Sequence, residues 1–217
     1  LTKALALTEQ AKNFPSDFVD ARSQAAAMPC RLAFVADSIE AVGKKLEDAG
    51  KRSDRILAAR GIYFGEGTDT SAGKTAFLFP GQGSQYLNMG AELPMQWREA
   101  GVAWDHAADV DMGGGKKLHD VVFPQSVFND ADKKVQEETL LSTQWAQPAI
   151  GVTSLSHLGL LDTLGLKPKH VAGHSFGEIT ALYAAGSLTT EEMIKVARKR
   201  GELMNEAAAL PGAMIAV

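Results

Sequence analysis

Residues 171–177, reading V-A-G-H-S-F-G, constrain the fold of this chain more than any other stretch. They set a serine between two glycines, where the short strand-like run 169–172 gives way to the helical pattern EITALYAA at 178–185. A G-x-S-x-G run entered from a strand and left by a helix predicts a nucleophile elbow, and with it a strand–turn–helix unit at the end of a sheet. The sharp turn lifts the Ser175 hydroxyl off the sheet, and Gly173 and Gly177 leave room for strand and helix to approach closely. The same letters also suit a plain glycine-flanked turn with a surface serine, so the surrounding sequence has to discriminate.

Composition narrows the classes. The 217 residues suffice for one large or two small domains with a real core. Hydrophobic residues at 45% and charged residues at 22% are a soluble globular balance. A net charge of -4 carries no basic excess, so nucleic acid is not an expected partner. The single cysteine, Cys30, excludes an internal disulfide framework and a cysteine-based metal cluster, and it suits a reducing cytoplasm. No apolar run reaches the ~20 residues of a membrane span. Lys12, Asp17 and Asp20 interrupt the N-terminal apolar residues, against a signal peptide. The chain opens on Leu1 and stops in the strand-like run 213–217, so both ends read as cuts through something longer.

Along the chain, residues 1–28 read as helical with a break at Phe14-Pro15-Ser16. RLAFVA at 31–36 alternates as a strand. Ser38 then caps a helix with apolar Ile39, Val42 and Leu46, which Gly50 closes. GIYF at 61–64 is a second short strand, and the small, polar run 65–73 reads as a linker. That run imitates a phosphate-binding P-loop, but five residues separate Gly67 and Gly73, where the motif requires four. TAFLF at 75–79 is a continuous apolar strand of the kind buried in a parallel sheet, and Gly81-Gln82-Gly83-Ser84-Gln85 forms a glycine loop at its carboxyl end. Ligands of open α/β sheets bind at the carboxyl ends of strands. The loop and the serine turn can therefore face one another if their strands are neighbours. Residues 86–144 read as helical and irregular with a turn at Gly113-Gly114-Gly115, and 148–164 as a long apolar helix.

Acyl transfer through serine needs a nucleophile, a base and donors for the oxyanion. Ser175 is the candidate nucleophile, and the N–H of Phe176 is the natural first donor. Gln82, through its own N–H, is the candidate second donor, although glycine loops often merely turn. The base is the difficulty. Histidines stand at 106, 119, 157, 170 and 174. The turn directs the His174 side chain away from the serine hydroxyl, to pack beside the pocket, and the others have no local motif. The base of elbow enzymes follows the serine in the chain, and no histidine follows Ser175. Either this is not a serine enzyme, or the base lies beyond Val217. On the helical stretch 190–209, Met193, Val196, Ala197 and Met204 form an apolar stripe with Arg200 in its middle, while Lys195, Arg198, Lys199 and Glu202 face elsewhere. An arginine so placed either snorkels to water or meets a buried anion, and its planar fork matches a carboxylate.

With these residues in place, FPGQGSQY at 79–86, QPAI at 147–150, GHSFGE at 173–178 and RKRGELM at 198–204 resemble the malonyl-CoA:acyl carrier protein transacylase family, which includes acyltransferase domains of polyketide and fatty acid synthases. Four motifs in order over about 130 residues are far more specific than one. The leading module resembles the linker that joins a ketosynthase to its acyltransferase. YLNMG at 86–90 is most similar to polyunsaturated fatty acid synthases, with iterative polyketide synthases of enediyne type as the near alternative.

The resemblance implies an α/β fold: a linker module over 1–73, then over 74–217 an incomplete α/β-hydrolase-like parallel-sheet core with a ferredoxin-like subdomain only begun. It implies a ping-pong reaction in which Ser175 takes malonyl from malonyl-CoA and passes it to the phosphopantetheine thiol of an acyl carrier protein. Gln82 and Phe176 match the oxyanion hole. Arg200 matches the carboxylate-binding arginine, Gln147 a pocket glutamine, and His174 stands beside the pocket as a substrate-binding position. No bound cofactor and no metal are implied; coenzyme A thioester is substrate, and a neighbouring ketosynthase domain, not a membrane, is the expected structural partner. The family's catalytic histidine lies about a hundred residues past the serine, so it is expected to be missing and the chain to be poorly active. Lys195, Arg198 and Lys199 are candidates for meeting an acidic carrier protein, or simply a solvated helix face. A serine hydrolase or thioesterase of α/β-hydrolase type, and a non-catalytic docking fragment, are the competing readings.

Overall fold

The computed structural model describes residues 29–51, 60–66, 74–113 and 115–208. The expected helices of 1–28, most of the linker with its P-loop imitation, and the run 213–217 lie outside these residues. The chain divides into two compact units, Leu1–Ala72 and Gly73–Val217. Each is described by itself.

In the first unit, β1 (Cys30–Phe34) pairs antiparallel with β2 (Ile62–Glu66), Phe34 opposite Ile62. Between them runs α1 (Ile39–Gly50), whose N-cap Ser38 accepts a hydrogen bond from the Ala41 N–H at 3.2 Å. Val42, Leu46 and Ala49 are the buried stripe of α1, and Leu32 and Phe34 pack on Ala49 and Ile62. The first strand ends two residues earlier than its alternation suggests. Gly61 sits at φ 67°, turning the chain away just before Ile62, so Val35 has no cross-strand partner and is exposed. Arg60 donates to Asp48 at 2.7 Å, and this contact holds the Asp48 carboxyl below its usual range.

In the second unit, β3 (Ala76–Phe79) and β4 (His170–Gly173) are parallel neighbours, with Phe79 opposite Gly173. The helices are α2 (Glu92–Gln96), α3 (Arg98–Asp109), α4 (Leu118–Val122), α5 (Asp130–Leu141), α6 (Thr143–Thr163), α7 (Gly177–Ala184) and α8 (Thr190–Ala207). The core gathers Trp104, Leu118, Ile150, Phe176, Met193 and Ile194 around α6. Every residue of α6 from Trp145 to Val152 is buried, as expected of a helix apolar on all sides.

Three expectations are corrected here. β3 is not buried on both faces: among the described residues it pairs only with β4, and Leu78 is 78% exposed while Phe79 is 7% exposed. α6 begins five residues before Pro148, the residue expected to open it. The Ser142 carbonyl accepts from the N–H groups of Trp145 and Ala146, at 3.0 and 2.8 Å, and starts the helix a turn early. Pro148 thus sits inside the helix, where its missing N–H leaves the Gln144 carbonyl without a helical donor. Arg198 supplies one, Nη1 donating to Gln144 at 3.1 Å. An unpaired buried carbonyl there would cost about 1–3 kcal/mol.

α8 is also rotated from the stripe read off its sequence. Met193, Ile194, Ala197 and Gly201 are buried, while Val196 and Met204 are 38% and 36% exposed. A Cβ on Gly201 would run into the Thr143 carbonyl oxygen and lie 2.6 Å from the Gln144 Cα, so only glycine lets the two helices meet here. Thr143 Oγ1 donates to the Gly201 carbonyl at 2.7 Å across the same contact.

A capping box starts α8: the Thr189 N–H donates to Glu192 at 2.8 Å, and the Glu192 N–H donates to Thr189 Oγ1 at 3.3 Å. The Thr189 N–H, then its hydroxyl, hold the Glu192 carboxyl below its usual range. Thr189→Ala is expected to lower stability by about 1 kcal/mol near neutral pH. A depressed carboxylate stabilises fully above its unfolded-state value and ceases to do so as pH falls through its folded-state value. The gap between Thr189→Ala and the parent in urea unfolding should therefore narrow on acidification; a constant gap from pH 7 to 3 contradicts this.

Candidate active site

β4 runs out at Gly173, and the His174 N–H still donates to the Phe79 carbonyl at 3.1 Å, keeping register with β3 for one more residue. Ser175 then takes φ 54°, the left-handed region that a side chain rarely enters. The N–H groups of Gly177 and Glu178 donate to the carbonyls of His174 and Ser175, at 2.9 and 3.2 Å, and α7 begins. A Cβ on Gly173 would overlap the Gly177 backbone, and one on Gly177 would overlap the Phe79 carbonyl. The two glycines are therefore required by contacts with backbone, which cannot rotate aside. Phe176 is fully buried and anchors the turn, while Ser175 stays exposed at its crest.

The glycine loop after β3 lies against this turn, because β3 and β4 are neighbours. A Cβ on Gly81 would sit 2.5 Å from the His174 carbonyl oxygen, 3.1 Å from His174 Nδ1 and 3.2 Å from Ser175 Cβ. The His174 ring thus rests on the loop. Among the described residues, the N–H groups of Gln82 and Phe176 have no acceptor. Gln82 Oε1 accepts from Gln147 Nε2 at 3.4 Å, and the same Nε2 lies 3.2 Å from Met204 Sδ. Gln147 is fully buried, and its Oε1 has no partner among the described residues.

Arg200 lies one turn before Met204 on α8. Its Nη1 is buried and unpartnered among the described residues. Arg200 borders a shallow, almost wholly apolar depression of about 410 Å³ with Val196, Lys199, Leu203, Met204 and Ala207. Ser175 does not line that depression. The structure therefore brings Ser175, Gly81, Gln82, Gln147 and Met204 into one run of contacts, and Arg200 joins it through Met204's turn without touching Ser175. All five histidines fall among the described residues, and none hydrogen-bonds Ser175. His157 Nδ1 is bound to the Thr153 carbonyl at 2.7 Å, and His119 lies 3.6 Å from Asp120. Among the described residues no group of three or more acidic, histidine or cysteine side chains could hold a metal, and no helix is long and apolar enough to cross a membrane.

One expectation about the cations fails. Arg198 is not part of a solvated patch with Lys195 and Lys199: its side chain is 14% exposed, lies 4.5 Å over the Trp145 ring and donates through Nε to Glu202 at 2.8 Å. The sequence signal was Gln147-Pro148 inside an apolar run, which implies a carbonyl in need of an outside donor.

A serine held left-handed between a parallel strand and a helix, with a glycine loop from the adjacent strand beside it, defines an α/β protein built to present a hydroxyl. The acyl transferase domain model matches residues 76–217, and the chain belongs to this family. It is 43% identical over 145 residues to the malonyl CoA-acyl carrier protein transacylase of Bacillus subtilis, covering 66% of this chain and 42% of that one. It is 31% identical over 181 residues to a polyunsaturated fatty acid synthase chain from a Thraustochytrium species, covering 79% of this chain and 6% of that one. The crystal structure of the acyltransferase domain from the second module of the salinomycin polyketide synthase is similar with TM-score 0.63 at 27% identity, over 94% of this chain and 44% of that one. The mixed α/β fold is thus that of transacylases and synthase acyltransferase domains, and the chain spans less than half the length of each of these relatives.

Proposed function

We propose that this chain belongs to an enzyme that moves a malonyl group from malonyl-CoA to the phosphopantetheine thiol of an acyl carrier protein, through an ester on Ser175. The observation that carries the reading is the left-handed Ser175 against the Gly81–Gln82 loop, with the amides of Gln82 and Phe176 unpartnered among the described residues. The serine oxygen attacks the thioester carbonyl; the C–O bond forms, the C–S bond breaks, and coenzyme A leaves as its thiol with the serine proton. The carrier thiol then attacks the ester and restores the hydroxyl. The two amides hold the oxyanion of each tetrahedral intermediate.

Arg200 binds the malonyl carboxylate through the fork whose Nη1 has no partner among the described residues. Gln147 and His174 line the substrate side. The base is supplied from outside this sequence, since none of its five histidines engages Ser175. β3 and β4 belong to an α/β-hydrolase-like sheet, and residues 1–73 serve as the linker from a ketosynthase domain. The YLNMG run favours a parent of the polyunsaturated fatty acid synthase type.

Labelled malonyl-CoA tests the reading. Label that stays on Ser175 until a carrier thiol is added supports the transferase, whereas prompt release as malonate supports a hydrolase. Arg200→Ala is expected to slow malonyl labelling by about a hundredfold, as for loss of one buried charge-assisted pair, and acetyl labelling only a few-fold. Equal loss for both acyl groups contradicts a carboxylate clamp. Without its base the chain should label several powers of ten more slowly than a complete transacylase; full-rate transfer by residues 1–217 contradicts an external base.

A further inference from the structure

We infer that Arg198 is a positioning residue whose guanidinium replaces the helix hydrogen bond that Pro148 deletes, and so sets the rotation of α8 that presents Arg200 to the substrate. Three contacts converge on its fork. Nη1 donates to the Gln144 carbonyl at 3.1 Å, the carbonyl that a residue other than proline at 148 would have bonded. Nε donates to Glu202 at 2.8 Å, and the guanidinium carbon lies 4.5 Å from the centre of the Trp145 ring. Three residues further on, Gly201 seats α8 on the Thr143–Gln144 backbone, and Thr143 Oγ1 closes the contact on the Gly201 carbonyl. Arg200 stands between these two anchors, so its direction is fixed by them. A lysine cannot take the place of Arg198, because one ammonium cannot bond a carbonyl and a carboxylate in a plane while stacking on an indole.

The pull of proline is the discriminating feature. If the Arg198 fork serves the carbonyl orphaned by Pro148, restoring an N–H at 148 makes that part of the fork redundant. A generic surface arginine would be indifferent to residue 148, which is 50 positions away.

The test is a double-mutant cycle on the whole chain, with Arg198→Met, Arg198→Lys and Pro148→Ala, singly and combined. In urea unfolding, Arg198→Met is expected to lower the midpoint clearly in the parent and by about half as much in the Pro148→Ala background. Equal shifts in the two backgrounds overturn the clamp. The second readout is equilibrium binding, which needs no base, and this part rests on the carboxylate reading of Arg200. Arg198→Met should weaken malonyl-CoA about tenfold and acetyl-CoA less than about twofold, and Arg198→Lys and Pro148→Ala should each recover little of this, because a helical N–H at 148 satisfies the carbonyl without tethering α8. Equal weakening of both thioesters, or full recovery by lysine, overturns the positioning role. Arg200→Ala is measured alongside. Should it leave the malonyl preference of the parent unchanged, the carboxylate reading falls instead, and the unfolding midpoints alone decide the clamp.

Discussion

Ser175→Gly is expected to abolish acyl-enzyme formation and at the same time to raise the stability of the chain by about 1 kcal/mol. The hydroxyl is the proposed point of attachment, so no ester forms without it. The gain has a separate origin. Ser175 is held at φ 54°, and a side chain in that region carries a strain that glycine does not. Ser175→Ala is the matched control: it loses the hydroxyl but keeps a Cβ at the same dihedral angle, so its unfolding midpoint should stay near that of the parent. Thermal unfolding of the three proteins, with mass spectrometry after incubation with malonyl-CoA, reads both effects. A glycine variant no more stable than the alanine variant would show that the turn is unstrained.

Gly177→Ala is expected to act in the opposite direction, costing more than about 3 kcal/mol, because the added methyl has no flexible neighbour to displace. Its Cβ would overlap the Phe79 carbonyl oxygen and lie 2.7 Å from the Phe79 carbonyl carbon and 2.9 Å from the Pro80 oxygen. Relief requires α7 to move off β3, which drags Ser175 away from the Gly81–Gln82 loop. Gly173→Ala meets the Gly177 and Glu178 backbone in the same way. Gly43→Ala in α1 is the contrasting case: nothing lies within 4 Å of its Cβ, so a gain of up to about 1 kcal/mol in helix propensity is expected. Urea denaturation of Gly177→Ala and Gly43→Ala separates steric overlap from a general effect of replacing glycine. A Gly177→Ala protein within about 1 kcal/mol of the parent would mean that strand and helix are not in backbone contact.

These two residues also show which parts of the molecule could be read in advance. The serine turn is written locally: glycines where backbones touch, a strand-like run before them and a helical pattern after. The same holds for Ser38 at the start of α1, where one side-chain oxygen meets one N–H three residues on. Strand ends were less legible. Val35 continues the alternation of β1, but whether it pairs depends on Gly61, far along the chain. The cations of α8 were least legible of all. Periodicity places Arg198, Lys195 and Lys199 off the apolar stripe, yet Arg198 is drawn inward by Trp145 and the Gln144 carbonyl.

By itself, then, the sequence determined the serine turn, the glycine loop on the preceding strand, the motif order and hence the family, because each rests on short-range sterics or on spacing. Tertiary structure decided that β3 and β4 are neighbours, which sets Gly81 against Ser175. It also decided that α6 runs on through Pro148 and how α8 is turned. Those outcomes depend on one helix answering an unmet hydrogen bond and a missing side chain on another, and no local pattern encodes a contact made across 54 residues.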